Sequence, residues 1–286
     1  MLRNFKRYVP HSVKEMIKRL LDSGFFLGKP ALRYLELHLT DHCNLDCKGC
    51  GHHSPLASPY YADIHQYEID MRRLSQLFRN IRTIRLMGGE PLLHQDPAAF
   101  ITVTRVVFPK SHIKFVTNGI LLPKASVAFW DACRNTNTSI NLSVYPPLKR
   151  VEELRALCRD ERVNLSVTNI ETFHAHRNLK GDSDKEKAFK LCRKRYFNPL
   201  LKDGRLYTCP MPAYIHYFNE SFNYQIAADK GIDIHSQNIS GSWILRELNK
   251  PIETCKWCAY DYVPYTWSRS NNLATDWDAA EQRKMI

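Results

Sequence analysis

The stretch Leu39–Pro55, LTDHCNLDCKGCGHHSP, places Cys43, Cys47 and Cys50 in the spacing Cys-x3-Cys-x2-Cys. Thiolates are soft ligands that favour iron–sulfur clusters, zinc or Cu(I) over hard cations. Three ligands are one fewer than the usual four. In a cubane [4Fe–4S] cluster they would leave one iron free to bind a small molecule, as a catalytic zinc site leaves one position open. A zinc knuckle or a disulfide pair is the alternative interpretation of this spacing.

A predicted strand leads directly into the cysteine loop, because leucines alternate with Glu36 and His38 from residue 35 to residue 39. Stretches with helical spacing separate it from four later predicted strands. These strands cover residues 81–87, 113–117, 139–145 and 163–168. Strands separated by helices of this length predict parallel βα units. No sixth strand is predicted in the polar residues 171–190.

The functional groups of βα units lie at the carboxyl ends of the strands. The cysteine loop, Gly88-Gly89-Glu90-Pro91 and Asn118-Gly119 all fall at such ends. Glycines without side chains let a ligand approach the backbone closely, and Glu90 offers oxygen acceptors to a cationic amine. A simple turn is the alternative interpretation of the Gly-Gly-Glu-Pro stretch.

One face of the predicted sheet is polar on strand after strand, although buried parallel strands are usually apolar on both faces. The polar residues are Glu36, His38, Arg85, Lys114, Asn141, Ser143, Tyr145, Asn164, Ser166 and Thr168. If helices cover the apolar face, the polar face lines the interior of an open barrel. This pattern favours a hydrogen-bonding cavity over the alternative, a sheet face exposed to solvent.

The cysteine loop and the sequence MGGEPLL resemble the radical S-adenosylmethionine (SAM) enzymes. In that family SAM binds the open iron of a three-cysteine [4Fe–4S] cluster, and the reduced cluster cleaves SAM to methionine and a 5'-deoxyadenosyl radical that takes hydrogen from the substrate. The resemblance implies an α/β fold with a partial (β/α) barrel. It also implies that Gly88, Gly89 and Glu90 contact the SAM amino group, and that Asn118 and Ser143 contact its ribose or methionine part.

Gly49 departs from the family pattern, because many members carry an aromatic residue at this position. The resemblance therefore implies that a different residue supplies the adenine contact.

Four further cysteines lie in the C-terminal third of the chain: Cys192, Cys209, Cys255 and Cys258. The first two flank Asp203-Gly204, which predicts a hairpin turn. This arrangement resembles the twitch extension, a short form of the SPASM domain, and implies that the four thiols bind an auxiliary [4Fe–4S] cluster. A structural zinc ion with four thiolate ligands is the alternative. Cys133 and Cys158 lie in predicted helices and are interpreted as core residues.

Three segments are predicted. Residues 1–31 form a basic amphipathic helix, residues 32–190 the partial barrel and residues 191–286 the auxiliary-cluster domain. The N-terminal helix could contact an anionic membrane or a partner, but packing on the domain that follows is favoured. Only these 31 residues precede the first strand, too few for a peptide-recognition domain.

Composition limits the class of protein. No run of 18 or more apolar residues predicts a membrane span, and the N-terminus lacks the apolar core of a signal peptide. Nine cysteines without a secretion signal favour a reducing, cytoplasmic location. The net charge of +12 favours acidic partners such as phosphates and nucleotides. Because the basic residues are dispersed, no nucleic-acid partner is expected.

The predicted activity is that of a radical SAM oxidoreductase that oxidises a hydroxyl-bearing carbon of a sugar or aminocyclitol. The substrate is expected to be small and polar, and the charge allows a phosphate or nucleotide group on it. A one-electron donor such as flavodoxin or ferredoxin would reduce the cluster. Two alternatives remain at this stage: modification of a peptide by the same radical chemistry, and a non-catalytic iron–sulfur or zinc protein.

Overall fold

The structure is a computed structural model that describes residues 28–284. The strands are β1 (Ala31–Thr40), β2 (Asn80–Gly88), β3 (His112–Thr117), β4 (Ser139–Val144), β5 (Leu165–Asn169), β6 (Thr172–Arg177), β7 (Leu200–Lys202), β8 (Arg205–Tyr207), β9 (Ile232–Asp233) and β10 (Cys258–Thr266). Eight of them form the central sheet, in the order β5-β4-β3-β2-β1-β7-β8-β9.

Helices connect the strands and cover the apolar face of the sheet. They are α1 (Ile64–Leu77), α2 (Pro97–Val107), α3 (Val127–Thr136), α4 (Val151–Asp160), α5 (Lys185–Arg195), α6 (Met211–Phe222), α7 (Gly241–Glu247) and α8 (Ala279–Arg283). Strands β1 to β5 are parallel to their neighbours. This arrangement confirms the predicted α/β fold with a partial barrel.

The alternation along β1 separates the core from the barrel interior. Leu35, Leu37 and Leu39 are at most 2% exposed and belong to one apolar cluster with the helices. The residues between them, Glu36 and His38, point to the opposite face because successive side chains of a strand alternate. The predicted core positions Cys133 and Cys158 belong to the same apolar cluster and are each 1% exposed.

The hairpin predicted at Asp203-Gly204 is present between β7 and β8. Both turn residues have positive φ, 48° and 72°, as a two-residue hairpin turn of type I' requires. Strand β7 pairs in parallel with β1, so this hairpin extends the barrel sheet. The predicted division at residue 190 therefore crosses a continuous sheet, and two separate domains remain a prediction.

A strand lies where the sequence analysis placed none. β6 occupies residues 172–177 and pairs antiparallel with β10, outside the main sheet. Only Phe173 and Ala175 are apolar in its sequence, an alternation too short to predict a strand, and its partner comes more than 80 residues later in the chain. This two-stranded ribbon brings the C-terminal segment against the cysteine loop.

The predicted N-terminal amphipathic helix lies almost entirely outside the described residues. Within residues 28–284, no helix is long and apolar enough to cross a membrane.

Candidate active site

A cavity of about 250 Å³ lies at the carboxyl ends of the parallel strands. Most of the predicted site residues meet there. Its lining includes Cys43, Cys47, Cys50, His52, Arg85, Gly88, Gly89, Asn118, Ser143, Tyr145 and Phe173. Of the predicted SAM contacts, only Glu90 does not reach the cavity surface. Of the ten residues of the predicted polar face, Arg85, Ser143 and Tyr145 line the cavity and the other seven do not.

The three thiols of the cysteine loop line the cavity; Cys47 is buried, and Cys43 and Cys50 are partly exposed. Burial and then the neighbouring Cys50 thiol raise the pKa of Cys47 to about 12. Burial also raises the pKa of Cys43. A metal at this site would nevertheless deprotonate the thiols, because coordination outweighs such shifts.

The C-terminal segment supports the cysteine loop, which the sequence analysis did not predict. The indole nitrogen of Trp267 donates to the Cys47 sulfur at 3.1 Å, and that of Trp277 donates to the Cys50 carbonyl at 2.8 Å. Backbone hydrogen bonds of 2.7 and 3.0 Å join the loop to residues 268–270. No local sequence signal marks these contacts, because the paired residues are more than 200 positions apart.

The two glycines of the Gly-Gly-Glu-Pro stretch permit a close approach of backbone as well as of ligand. A Cβ atom at Gly89 would lie 2.1 Å from the His42 carbonyl oxygen, and one at Gly88 would lie 2.3 Å from that of Thr40. The Gly89 amide donates to the Thr40 carbonyl at 2.9 Å. These contacts fix the start of the cysteine loop against the end of β2.

Glu90 is fully buried, and its carboxylate binds the end of β3. One oxygen accepts from the Thr117 hydroxyl at 2.7 Å and the other from the Asn118 amide at 2.8 Å. Burial raises the pKa of Glu90 to about 7, against the opposing effect of these hydrogen bonds. The carboxylate thus positions Asn118, and the predicted contact of Glu90 with the SAM amine stays a prediction.

Asn118 joins the end of β3 to the cysteine loop. Its side-chain amide donates to the Asn44 side-chain oxygen at 2.6 Å, and its own oxygen accepts from the Ile120 amide at 3.0 Å. Ser143 lies in the next strand and lines the cavity without a tight contact of this kind. Both residues are therefore placed where a bound ligand would meet them.

Tyr265 fills the space next to Gly49 that a side chain at position 49 would need. Gly49 has φ of 62°, and a Cβ atom there would lie 2.4 Å from the Tyr265 hydroxyl. That hydroxyl donates to the Lys48 carbonyl at 2.7 Å. Close to Tyr265, Phe173 of β6 lines the cavity and is a candidate for the aromatic contact that Gly49 cannot supply.

Polar groups fill the barrel interior behind the cavity. Glu36 and His38 are 4% and 7% exposed. Tyr34 donates to one Glu36 oxygen at 2.7 Å, and Arg85 donates to the Tyr34 hydroxyl at 3.1 Å. Burial raises the pKa of Glu36 to about 7. The interior is therefore polar at β1 and β2, as the alternation on these strands predicted. Asn164, Ser166 and Thr168 of the predicted polar face are instead exposed to solvent, because they lie at the edge strand β5.

The four C-terminal cysteines also lie together. They come from α5, the turn after β8, a 3-10 turn and the first residue of β10: Cys192, Cys209, Cys255 and Cys258. Burial and then the other three thiols raise the pKa of Cys209. The Arg177 guanidinium lies 3.9 Å from the Cys258 sulfur. This group can hold a fully ligated cluster, and its binding of one stays a prediction.

The sequence matches the model of the Radical SAM superfamily over residues 37–205, more than half of the chain. The chain belongs to the radical SAM superfamily. Its cofactors are therefore a [4Fe–4S] cluster and SAM, and the three-cysteine loop and cavity fit both. The predicted identity as a radical SAM enzyme is confirmed.

Curated relatives of the radical SAM chain include GTP 3',8-cyclases. It is 28% identical over 142 residues to the one from Heliobacterium modesticaldum, covering 49% of this chain and 42% of that protein. It is 35% identical over 115 residues to the one from Shewanella denitrificans, covering 38% and 32%. The chain thus spans about two fifths or less of the length of these relatives.

Among solved structures, the crystal structure of BtrN in complex with AdoMet and 2-DOIA is similar to this chain. The TM-score is 0.49 at 13% identity, with 80% of this chain and 94% of BtrN covered. The structure of tagged anSMEcpe with bound AdoMet gives a TM-score of 0.44 at 14% identity, with 80% and 83% covered.

Proposed function

We propose that this radical SAM enzyme oxidises a hydroxyl-bearing carbon of a sugar or aminocyclitol. The observation that carries the proposal is the polar barrel interior directly behind the cysteine-lined cavity. A hydroxyl-rich substrate needs hydrogen-bonding partners in a buried site, because each unpaired buried polar group costs about 1–3 kcal/mol. Such a lumen suits a polyol better than an apolar substrate.

The cysteine loop would hold the SAM-binding cluster through Cys43, Cys47 and Cys50. When bound and reduced, this cluster supplies the cleavage of SAM that yields a 5'-deoxyadenosyl radical. Gly88 and Gly89 shape the wall on the opposite side, and Asn118 ties that wall to the loop. These residues would hold SAM in the cavity and orient it toward the lumen.

The lumen residues would orient the substrate and accept the proton that its hydroxyl group releases. Arg85 and Tyr145 line the cavity and can donate hydrogen bonds to hydroxyl oxygens. A tyrosine keeps its proton at neutral pH, and burial raises the pKa of Tyr145 further, so its hydroxyl acts as a donor. Acceptor atoms without a partner in the described structure lie deeper, on Glu36 and His38.

Oxidation of an alcohol to a ketone removes a hydrogen atom from carbon, a proton from the hydroxyl group and one electron. The hydrogen atom would go to the 5'-deoxyadenosyl radical and the proton to an acceptor in the lumen wall. The electron needs an acceptor within tunnelling distance. An auxiliary cluster on Cys192, Cys209, Cys255 and Cys258 would serve as that acceptor. This role would explain why the chain carries four clustered thiols in addition to the three of the cysteine loop.

The test uses reconstituted, reduced protein with SAM and a panel of deuterated aminocyclitols, hexoses and nucleotide-linked sugars. GTP belongs in the panel because the curated relatives are GTP 3',8-cyclases, and a peptide library tests the alternative substrate class. We expect deuterium in 5'-deoxyadenosine together with a ketone product. Deuterium transfer from a peptide or from GTP, and from no polyol, would reject the proposal.

A matched pair of variants tests the electron acceptor. Changing Cys255 and Cys258 to Ala should leave SAM cleavage intact while ketone formation collapses. Changing the core residues Cys133 and Cys158 to Ala is the control, because neither lies at the cavity. If the first variant forms ketone at the wild-type rate, the four C-terminal thiols do not take part in electron removal.

A further inference from the structure

Glu36 and His38 of β1 form a compact group with His52 of the cysteine loop. One ligand atom from each side chain lies within 4.8 Å of the other two. Within residues 28–284, no other set of three His, Cys, Asp or Glu side chains meets this condition. Glu36 and His38 are both more than nine-tenths buried. The group is therefore an internal constellation and not a chance cluster on the surface.

Three polar atoms of this group lack a hydrogen-bond partner among the described residues. One Glu36 oxygen, Oε2, and both ring nitrogens of His38 have no hydrogen bond within the described part of the chain. Buried polar atoms are almost always paired, so three unpaired atoms in one place point to a ligand. The other Glu36 oxygen accepts from Tyr34 at 2.7 Å. Such a bond orients a metal-binding carboxylate in known sites.

The donor set matches one class of ion. Two imidazole nitrogens and one carboxylate oxygen suit zinc and similar divalent transition metals, whereas calcium and magnesium prefer oxygen ligands alone. Zinc bonds of about 2.0–2.1 Å place ligand atoms about 3.4 Å apart. Since the atoms already lie within 4.8 Å, small side-chain rotations would close the site.

The guanidinium of Arg85, next to Glu36, directs its hydrogen bond to Tyr34 and not to the Glu36 carboxylate. Arg85 pairs with Glu36 in the register of β1 and β2, yet its guanidinium donates to the Tyr34 hydroxyl at 3.1 Å. Its Nε atom has no partner within the described residues. The free Glu36 oxygen therefore remains available. Two further cations act on the imidazoles, but Lys202 is paired with Asp41 and Arg177 donates to the Gly51 carbonyl at 3.3 Å.

We propose that Glu36, His38 and His52 bind one divalent transition-metal ion of the zinc class inside the barrel. Three protein ligands leave one tetrahedral position open. His52 and Arg85 also line the SAM cavity, so the ion lies directly behind the cavity wall. This site is separate from both groups of cluster cysteines. Glu36 and His38 also supply lumen acceptors in the proposed oxidation, so the binding test uses no substrate and its outcome does not depend on that oxidation.

The test measures zinc binding to protein that already carries its iron–sulfur clusters. The reconstituted protein is equilibrated anaerobically with chelator-buffered Zn²⁺, freed of unbound metal and assayed for zinc and iron by mass spectrometry. We expect about one zinc per wild-type chain with no loss of iron, since this site has one set of ligands. Glu36→Gln and His38→Gln should each weaken zinc binding at least tenfold.

Two controls separate this site from surface binding and from misfolding. His112→Gln and Glu171→Gln remove exposed side chains of the same types and should not change the zinc content. Zinc should raise the unfolding temperature of the wild type, as any ligand of the native state does. It should not raise that of the Glu36 or His38 variant, while both variants should keep wild-type iron content and fold without zinc.

X-ray absorption at the zinc edge identifies the ligands. We expect nitrogen and oxygen neighbours at about 2.0–2.1 Å and no sulfur at about 2.3 Å. Zinc held by sulfur, or zinc retention that is equal in the wild type and the Glu36→Gln variant, would overturn the proposal. The absence of zinc from the wild type under these conditions would overturn it as well.

Discussion

The indole nitrogen of Trp267 lies 3.1 Å from the sulfur of Cys47 and donates a hydrogen bond to it. Cys47 is the most buried of the three cysteines in the loop, at 7% exposed. Trp267 follows β10, the strand that pairs with β6 in the C-terminal ribbon. A residue of the C-terminal segment thereby contacts a proposed ligand of the SAM-binding cluster directly.

Trp267→Phe should lower the reduction potential of that cluster. Hydrogen bonds to the sulfur ligands stabilise the more negative, reduced state. If this bond is worth about 1.4 kcal/mol more in the reduced state, the potential falls by roughly 60 mV. A redox titration followed by electron paramagnetic resonance measures the shift. Trp243→Phe, a change at a partly exposed tryptophan of α7, is the control. An unchanged potential would mean that the bond does not influence the cluster.

The iron content should separate the two proposed clusters. After reconstitution and removal of loosely bound iron, the wild type should retain about eight irons per chain, the content of two cubane clusters. Changing the three cysteines of the loop to Ala should leave about four, and changing Cys255 and Cys258 should remove the other four. Iron and sulfide analysis measures this. About four irons per wild-type chain would show that the protein binds one cluster and no auxiliary cluster.

The sequence predicted the main features of the fold and of the cavity because their signals are local. Alternation along single strands located Glu36 and His38, and short spacings located the cysteines. The support of the cysteine loop was not predictable in this way. Trp267 and Trp277 contact residues more than 200 positions earlier, and β6 needs β10 to form a ribbon. Such contacts depend on how the chain returns to the barrel, which no local pattern encodes.

The role of Glu90 was only partly predictable for a related reason. The Gly-Gly-Glu-Pro stretch indicated its place at a strand end, but its partners, Thr117 and Asn118, come from the next strand. The Glu90 carboxylate therefore already accepts hydrogen bonds within the protein before any ligand binds. The same reasoning explains Gly89, where the missing side chain admits the backbone of the cysteine loop.

Glu90→Gln should change how stability depends on pH. Burial raises the folded-state pKa of Glu90 to about 7, above the 4.5 of the unfolded chain. The folded state therefore binds more protons between these values, and the contribution of Glu90 to stability is lost as pH rises from about 4.5 to 7. Glu90→Gln has no titratable group at this position, so it should not lose stability in this way as pH rises. Its free energy of unfolding relative to the wild type should increase with pH across that window, by roughly 3 kcal/mol at most.

Chemical denaturation at pH 5 and pH 7.5 measures this difference. The comparison must be between the two proteins, because partly buried histidines such as His176, whose pKa is lowered to about 3 mainly by desolvation, change stability with the opposite sign. Glu171→Gln, at an exposed glutamate, is the control. A pH-independent difference between Glu90→Gln and the wild type would contradict the assigned pKa.

Gly49→Ala should destabilise the protein through a clash at the cysteine loop. A Cβ atom at residue 49 would lie 2.4 Å from the Tyr265 hydroxyl and 2.9 Å from the Asp276 carbonyl oxygen. The positive φ of 62° adds the strain of a left-handed residue with a side chain. We expect a loss of about 2–4 kcal/mol in the free energy of unfolding, the range of strongly destabilising changes.

Gly28→Ala separates the clash from the backbone strain. Gly28 also has a positive φ, 80°, but a Cβ atom there meets nothing within 4 Å among residues 28–284. It should therefore cost only about 1–2 kcal/mol, the left-handed penalty alone. Tyr265→Phe removes the hydroxyl, so Gly49→Ala should cost less in that background than in the wild type. Urea denaturation of the wild type, Gly49→Ala, Tyr265→Phe and the variant with both changes measures these costs as a double-mutant cycle. Equal costs of Gly49→Ala with and without the Tyr265 hydroxyl would show that Tyr265 does not fill the space left by the glycine.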